Sequence, residues 1–304
     1  MDSNLTNLGY VEETTFGTTP SANLQLLRRT GGSISPSQGT VRSEEIRSDL
    51  RPGQPVRTSQ LARGQVNVEW SSGTLDDILE GMLMEAWSSN VLVDGTTKKS
   101  YTFEEQFVDP SISPSQYMIY RGSRIGSLSM SLALESIVTG SFGVVAQTPS
   151  IAQASAGTGN TSETTTEPFN TVNMVTTLQE ESANLDKVVG VDINLDRSLR
   201  PKMEIGSLNP FQIGVGRLLV SGRIQQYFEN DTLMDAYFAF QERNLEITLT
   251  DGSSNTLTIE IPKFRYVGEA DIGNPGPDGD RIVTMNFEGY GLSTDAHQIR
   301  FTRS

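Results

Sequence analysis

The residues that could do chemistry are few. The 304-residue chain has no cysteine, which removes disulfides, thiolate nucleophiles and Cys-ligated zinc. Its one histidine, His297, cannot build a multi-histidine metal site or a Ser/His/Asp relay with only Asp295 and Arg300 close in sequence. Asp76-Asp77 is a carboxylate pair, but neighbours on a helix diverge by about 100° and serve the N-terminal dipole better than a shared substrate. Asp271–Asp280, D-I-G-N-P-G-P-D-G-D, could offer Asp271, Asp278 and Asp280 to calcium. It lacks the ligand spacing and closing Glu of an EF-hand, and a plain tight loop accounts for it. Gly214-Val-Gly216 through Gly222 misses the third glycine of a dinucleotide loop and runs into a strand. A glycosidase-type carboxylate pair stays open, since acidic residues are abundant and none is singled out. The residue types point to no cofactor, no metal and no catalytic centre.

Charge narrows the partners. Lys and Arg number 23 against 37 Asp and Glu, a formal charge of −14. A protomer this acidic repels phosphates instead of releasing their counterions, so it is a poor grip for nucleic acid and a good surface for avoiding it. The apolar fraction is 36%, with Ser, Thr, Gly and Asn filling the gap. This suits a β-rich chain, or one whose core neighbours complete. Met1–Leu26 has no apolar signal core, and no run approaches the roughly 18 residues of a membrane span. The expectation is a soluble protein made in the cytoplasm, without membrane binding.

The elements that position these residues occur twice. Leu61-Ala-Arg-Gly64-Gln-Val66-Asn-Val-Glu-Trp70 aligns with Leu219-Val-Ser-Gly222-Arg-Ile224-Gln-Gln-Tyr-Phe228, and the register continues into Thr74-Leu75-Asp76-Asp77 against Thr232-Leu233-Met234-Asp235. Leu50-Arg51-Pro52 meets Leu208-Asn209-Pro210, and Ile137-Val138-Thr139-Gly-Ser-Phe142 meets Ile282-Val283-Thr284-Met-Asn-Phe287. Four ordered matches indicate one fold given twice. The reading is an N-terminal arm 1–20, a first repeat 21–147, a linker 148–168 and a second repeat 169–304. Trp87–Pro114 reads as a lengthened loop, Gln147–Pro168 as a polar linker, and Trp70 with Phe228 as a repeated core position.

Period-two alternation marks strands at Leu128–Leu134, Val191–Leu195, Leu245–Leu249 and Leu257–Ile261, with Asp251–Asn255 as a hairpin turn. Leu75, Ile78, Leu79, Met82, Leu83 and Ala86 form one helical stripe, and Leu233, Ala236, Tyr237 and Phe240 another. Thr74 with Asp77, and Thr232 with Asp235, resemble capping boxes. The fold class is mainly β with one short helix per repeat: two tandem β-sandwich or half-barrel domains.

This order of glycine-bearing strand, aromatic strand end, capped helix, hairpin and I-V-T-x-x-F strand resembles the tail tube proteins of long-tailed bacteriophages. Gly222–Phe228, Thr232–Phe240, Leu245–Ile261 and Ile282–Tyr290 carry the likeness most closely, with the opening Tyr10–Pro20. The resemblance implies a virion protein, made in the bacterial host, whose rings stack into a hollow tail tube around a continuous inner β-barrel. Implied partners are further copies of itself, a tape measure protein inside the tube, tail terminator and distal tail proteins, and double-stranded DNA passing without specific binding. Most of the family makes six-membered rings from one fold copy per chain. Two copies here predict a homotrimeric, pseudo-hexameric ring, with a homohexamer as the alternative.

Candidate lumen residues are the polar strand faces: Glu246, Thr248, Thr250, Thr258 and Glu260, with Ser127, Ser129 and Ser131 in the first repeat. Candidate ring contacts are Tyr10, Glu12, Phe16 and Pro20, and deleting Met1–Pro20 is expected to leave a folded protomer that polymerises poorly. The lumen is expected to be electronegative. A carbohydrate-binding β-sandwich adhesin or virion decoration protein is the main alternative, and a glycosidase a further one.

Overall fold

The structure is a computed structural model and describes residues 5–49, 51–107, 113–229, 231–273, 276, 279–292 and 297–304. The first half runs β1 (Thr6–Glu12), β2 (Gln25–Leu26), β3 (Gly31–Arg42), β4 (Pro55–Glu69), α1 (Asp76–Leu83), β5 (Val91–Val93), β6 (Tyr101–Phe107), β7 (Gln116–Ala133), β8 (Thr139–Ala146) and β9 (Thr148–Ala152). The second runs β10 (Val175–Glu180), β11 (Ala183–Asn184), β12 (Val188–Arg197), β13 (Arg200–Lys202), β14 (Gln212–Gly214), β15 (Leu218–Tyr227), α2 (Thr232–Phe238), β16 (Arg243–Thr250), β17 (Thr256–Ile272), β18 (Ile282–Gly289) and β19 (Arg300–Arg303). The mainly-β expectation with one short helix per half is borne out.

Strand pairing follows the same order in both halves. β3 pairs β4, β4 pairs β8, and β8 pairs the C-terminal part of β7. Likewise β12 pairs β15, β15 pairs β18, and β18 pairs the C-terminal part of β17. The N-terminal part of β7 pairs β6, which pairs β1, as the N-terminal part of β17 pairs β16, which pairs β10. β7 changes layer between Ser123 and Arg124 and β17 changes at Phe264, and a register shift follows in each, at Ile125/Ser127 and Val267/Asp271. Gly122, at φ +62, gives β7 a further bend where a Cβ would lie 2.8 Å from Gln147 Cβ.

One inner sheet joins the halves. β7 pairs β12 from Ala133↔Gly190 to Ser127↔Asp196, so the order β3-β4-β8-β7-β12-β15-β18-β17 is continuous. This sheet is open, and β3 and the C-terminal part of β17 form its ends. A second layer covers it, with β2-β1-β6 over the first half and β10-β16-β17-β19-β5 over the second. Leu128, Met130, Ile193 and Leu195 of the inner sheet meet Trp70, Ile259 and Phe301 between the layers. That interior is mainly apolar, as period-two strands with one polar face require, with Arg197 and Glu180 among its few buried charges.

Several expectations are corrected. Trp87–Pro114 is no mere loop: it contains β5 and β6, and β6 is buried on both faces, which erases the alternation that would announce it. Its residues 108–112 lie outside the described residues. α1 buries Leu75, Ile78, Leu79, Met82 and Leu83, but Leu75 is its N-cap and there is no capping box. Thr74 Oγ1 bonds Ser71 Oγ at 2.5 Å instead. α2 begins at Thr232 after Asp231, again without a side-chain cap. Leu233 and Ala236 are buried, whereas Phe240 lies past the helix end and is exposed beneath the Arg265 guanidinium at 4.7 Å. Trp70 is buried with its Nε1–H on Ser129 O, but Phe228 is 38% exposed, so this pair is not a shared core position.

Candidate functional site

The polar face of the inner sheet is built row by row. Gly31, Asn67, Ser141, Ser129, Asn194, Ser221, Glu288 and Arg265 succeed one another across it. The adjacent row runs Glu69, Thr139, Ser131, Asp192, Arg223, Asn286 and Val267. Ser129, Ser131, Asp192, Asn194, Ser221, Arg223, Asn286 and Glu288 line one concavity of about 600 Å³ on this face. Several of its groups are bonded to one another or to neighbours on the same face. Ser131 Oγ donates to Asp192 Oδ1 at 2.6 Å, Arg223 Nη2 lies 2.6 Å from Asp192 Oδ2, and Gln65 Nε2 donates to Ser141 Oγ at 2.5 Å. The Arg265 guanidinium is held between the rings of Phe240 and Tyr290. Acidic and basic groups nearly balance, and hydroxyls and amides dominate.

The lumen candidates divide into two sets. Ser127, Ser129 and Ser131 lie on the inner-sheet face. Glu246, Thr248, Thr250, Thr258 and Glu260 lie on the second layer, where Thr248 Oγ1 meets Thr258 Oγ1 at 2.9 Å, Glu246 faces Glu260, and Arg300 pairs with Glu260. Each set points away from the shared core, one to each side of the sandwich. A single bore can therefore be lined by only one of them. Asp192, Asn194, Arg223 and Glu288 belong with the serines and were missed, although the alternation of Asp192, Asn194 and Asp196 with apolar residues marked them.

The ring-contact candidates are tied into the protomer. Tyr10 is 3% exposed and its hydroxyl donates to Asp77 Oδ2. Burial, then the neighbouring Asp77 and Glu80 carboxylates, push its pKa well above the usual phenol value. β1, within the expected arm, pairs β6 over seven residues. The buried Glu13 carboxylate accepts from the backbone N–H of Gly17 and Gly122 and from Thr102 Oγ1, each at 2.8 Å. Phe16 stacks beneath Arg124, and Pro20 is half-buried. Glu12 is exposed and pairs with Lys99 at 3.2 Å. Burial lowers the Lys99 pKa, but Glu80 and Glu12 outweigh it and leave the ammonium's pKa raised.

Residues 148–168 are pinned to the first half. β9 pairs β7. Fully buried Glu104 accepts from Ser155 Oγ and Ala156 N–H, and Gln106 exchanges hydrogen bonds with Asn160. Thr166 Oγ1 donates to Ser72 O.

The groups with catalytic potential are occupied structurally. Arg303 pairs with Asp76, and Asp77 takes the Tyr10 hydroxyl. Among the described residues, the buried His297 Nε2 has no hydrogen-bond partner. Asp278 lies outside the described residues, and among those described no cluster of His, Asp and Glu could hold a metal. No helix among them is long and apolar enough to cross a membrane.

No curated protein matches the chain. Residues 3–289 match the sequence model of a family described as phage tail tube protein.

Proposed function

Because the chain belongs to the phage tail tube protein family, we propose that three copies close into a ring whose inner wall is the polar face of the continuous sheet. The family makes it a structural component of the virion tail, which assembles with its own kind and with other tail proteins into the tube. The single observation that carries the finer reading is the inner sheet: eight strands, two halves in one pairing order, open at both ends. The recurrent order supports two copies of one fold per chain, and open edges demand partners.

Geometry favours three chains. Three copies supply about 24 strands, and at ~4.8 Å spacing with the usual barrel tilt they give a wall roughly 40–50 Å across between backbones. Allowing for side chains, the bore is about 30 Å, enough for one duplex. Six chains would double the circumference and leave the duplex unsupported.

The hydroxyl-rich, nearly neutral face suits a conduit. Passing phosphates find few free cations and gain nothing from counterion release. The concavity and the continuity of the sheet support the inner-face set, Ser127, Ser129 and Ser131 with Asp192 and Asn194, as lumen residues. Glu246 and Glu260 then lie outside the bore. Arg223 and Arg265 temper the expected electronegativity, since each is engaged by a carboxylate or by aromatic rings.

Negative-stain microscopy of purified protein tests assembly, with tubes or rings expected and dispersed particles contrary. In phage particles, Ser129→Lys with Ser131→Lys should slow genome ejection at low salt, with partial rescue as salt shortens the Debye length. Glu246→Lys with Glu260→Lys should leave ejection unchanged. The reverse pattern would move the bore to the other layer.

A further inference from the structure

The joint between the two halves exists once inside the chain, and each half also has one side of a joint left over. β12 holds in the second half the place β3 holds in the first: Ile193 faces Gly222 as Ile34 faces Gly64. β17 stands to β18 as β7 stands to β8. β7 pairs β12, yet among the described residues β3 pairs only β4, and residues 265–272 of β17 pair only β18. Ser33, Ser35 and Asp271 on those edges are exposed.

The internal register transfers residue by residue. Across the internal joint Ser129 faces Asn194 and Ser131 faces Asp192. Val267 faces Asn286 as Ser129 faces Ser141, and Asp271 faces Thr284 as Ser131 faces Thr139. Ser35 faces Arg63 as Asn194 faces Ser221, and Ser33 faces Gln65 as Asp192 faces Arg223. We propose that β17 of one copy pairs antiparallel with β3 of the next, Val267 opposite Ser35 and Asp271 opposite Ser33. This rests on the ring reading above and names its interface. The polar pair is kept with its members exchanged: internally a β7 serine donates to a β12 aspartate, and between copies Ser33 of β3 donates to Asp271 of β17.

The tips of the β3–β4 and β12–β15 connections carry a second match. Glu45-Ile46-Arg47-Ser48-Asp49-Leu50-Arg51-Pro52 parallels Glu204-Ile205-Gly206-Ser207-Leu208-Asn209-Pro210; Leu50 lies outside the described residues. Ile46 and Ile205 are both fully exposed. The second tip is seated on the first half, where Leu208 O accepts the Gln60 N–H and Pro210 O accepts Gln147 Nε2, both at 2.7 Å. Among the described residues the bonds of the first tip stay within it, between Ser43 and Glu45, between Arg47 and both Glu45 and Asp49, and between Asp49 and Arg51. Pairing of β3 with a neighbour's β17 brings it to that neighbour's second half, near Leu218, the counterpart of Gln60.

The absence of cysteine makes the test clean. Facing Cβ atoms in paired strands lie within disulfide reach after small adjustment. Ser35→Cys with Val267→Cys should link most chains of oxidised rings into covalent dimers and trimers on a denaturing gel. Ser129→Cys with Asn194→Cys should close only within a chain. Asp271→Cys with Ser33→Cys gives a second reading of the register if the first pair assembles poorly. Rings that form yet stay unlinked at both intermolecular pairs, while 129–194 closes, would overturn this interface and leave the ring reading standing. Wild-type protein that forms no rings at all would overturn both.

Discussion

Gly64 and Gly222 occupy equivalent places in β4 and β15, and alanine at each separates folding from assembly. A Cβ on Gly222 would lie 2.3 Å from Asp192 O and 2.3 Å from Phe287 Cζ. β12 is held between β7 and β15, and Phe287 is 1% exposed, so neither neighbour can withdraw. Overpacking of this kind costs about 3 kcal/mol, at the upper end of its usual range. Alanine is otherwise better than glycine in a strand by about 0.5–1 kcal/mol, leaving a net loss of about 2 kcal/mol. At Gly64 the Cβ would lie 2.1 Å from Ser33 O and 2.5 Å from Ile34 Cα. β3 is an edge strand in the protomer and can shift outward at about 1 kcal/mol, which the propensity gain nearly cancels. That shift displaces the strand offered to the next copy. Urea unfolding of dissociated protein should therefore separate the variants by about 2 kcal/mol. Sedimentation should show Gly64→Ala failing to form tubes despite near-normal protomer stability. Equal unfolding free energies, or normal tubes from Gly64→Ala, would refute the reasoning.

Deleting Met1–Pro20 should unfold the protomer instead of merely blocking polymerisation. It removes β1, uncovers the sites of Leu8 and Tyr10, and strips Gly122 N–H and Thr102 Oγ1 of their Glu13 acceptor, at a cost of about 6–10 kcal/mol, comparable with the stability of a whole domain; a soluble truncated chain with native near-UV circular dichroism would contradict this. Burial raises the Asp251 pKa, but hydrogen bonds from Asn255 and Ser253 outweigh it and hold the carboxyl below its usual value. A lowered folded pKa gives stability that is present above the ordinary value of about 4 and lost as pH falls through the folded one. Asp251→Ala should therefore cost about 1–3 kcal/mol at neutral pH, shrinking in acid, and a pH-independent loss would assign the effect to packing.

Period two made β12, β16 and the first part of β17 legible because each has one buried and one polar face. The same rule hid β6, where Thr102, Glu104 and Gln106 are buried opposite Tyr101 and Phe103. It hid β1 too, which reads as a polar arm until β6 covers it. Alternation tells inside from outside but not which of two outsides, so Ser129 and Thr248 looked alike while lying on opposite sides of the sandwich. The first capping box failed because other partners took its side chains: Ser71, three residues earlier, takes the Thr74 hydroxyl, and the distant Tyr10 takes the Asp77 carboxylate. The glycine matches at 64 and 222 transferred well, since each marks close backbone approach. Phe228 did not follow Trp70: the indole sits with Leu128, Met130, Ile193, Leu195, Ile259 and Phe301, whereas Phe228 stays 38% exposed.

The central claim is a ring of three chains. Native mass spectrometry of rings released from tubes measures this directly. Three times the chain mass of 33.2 kDa, about 100 kDa, is the predicted result. A ring of six chains, about 200 kDa, would contradict the continuous 24-strand wall and the account built on it.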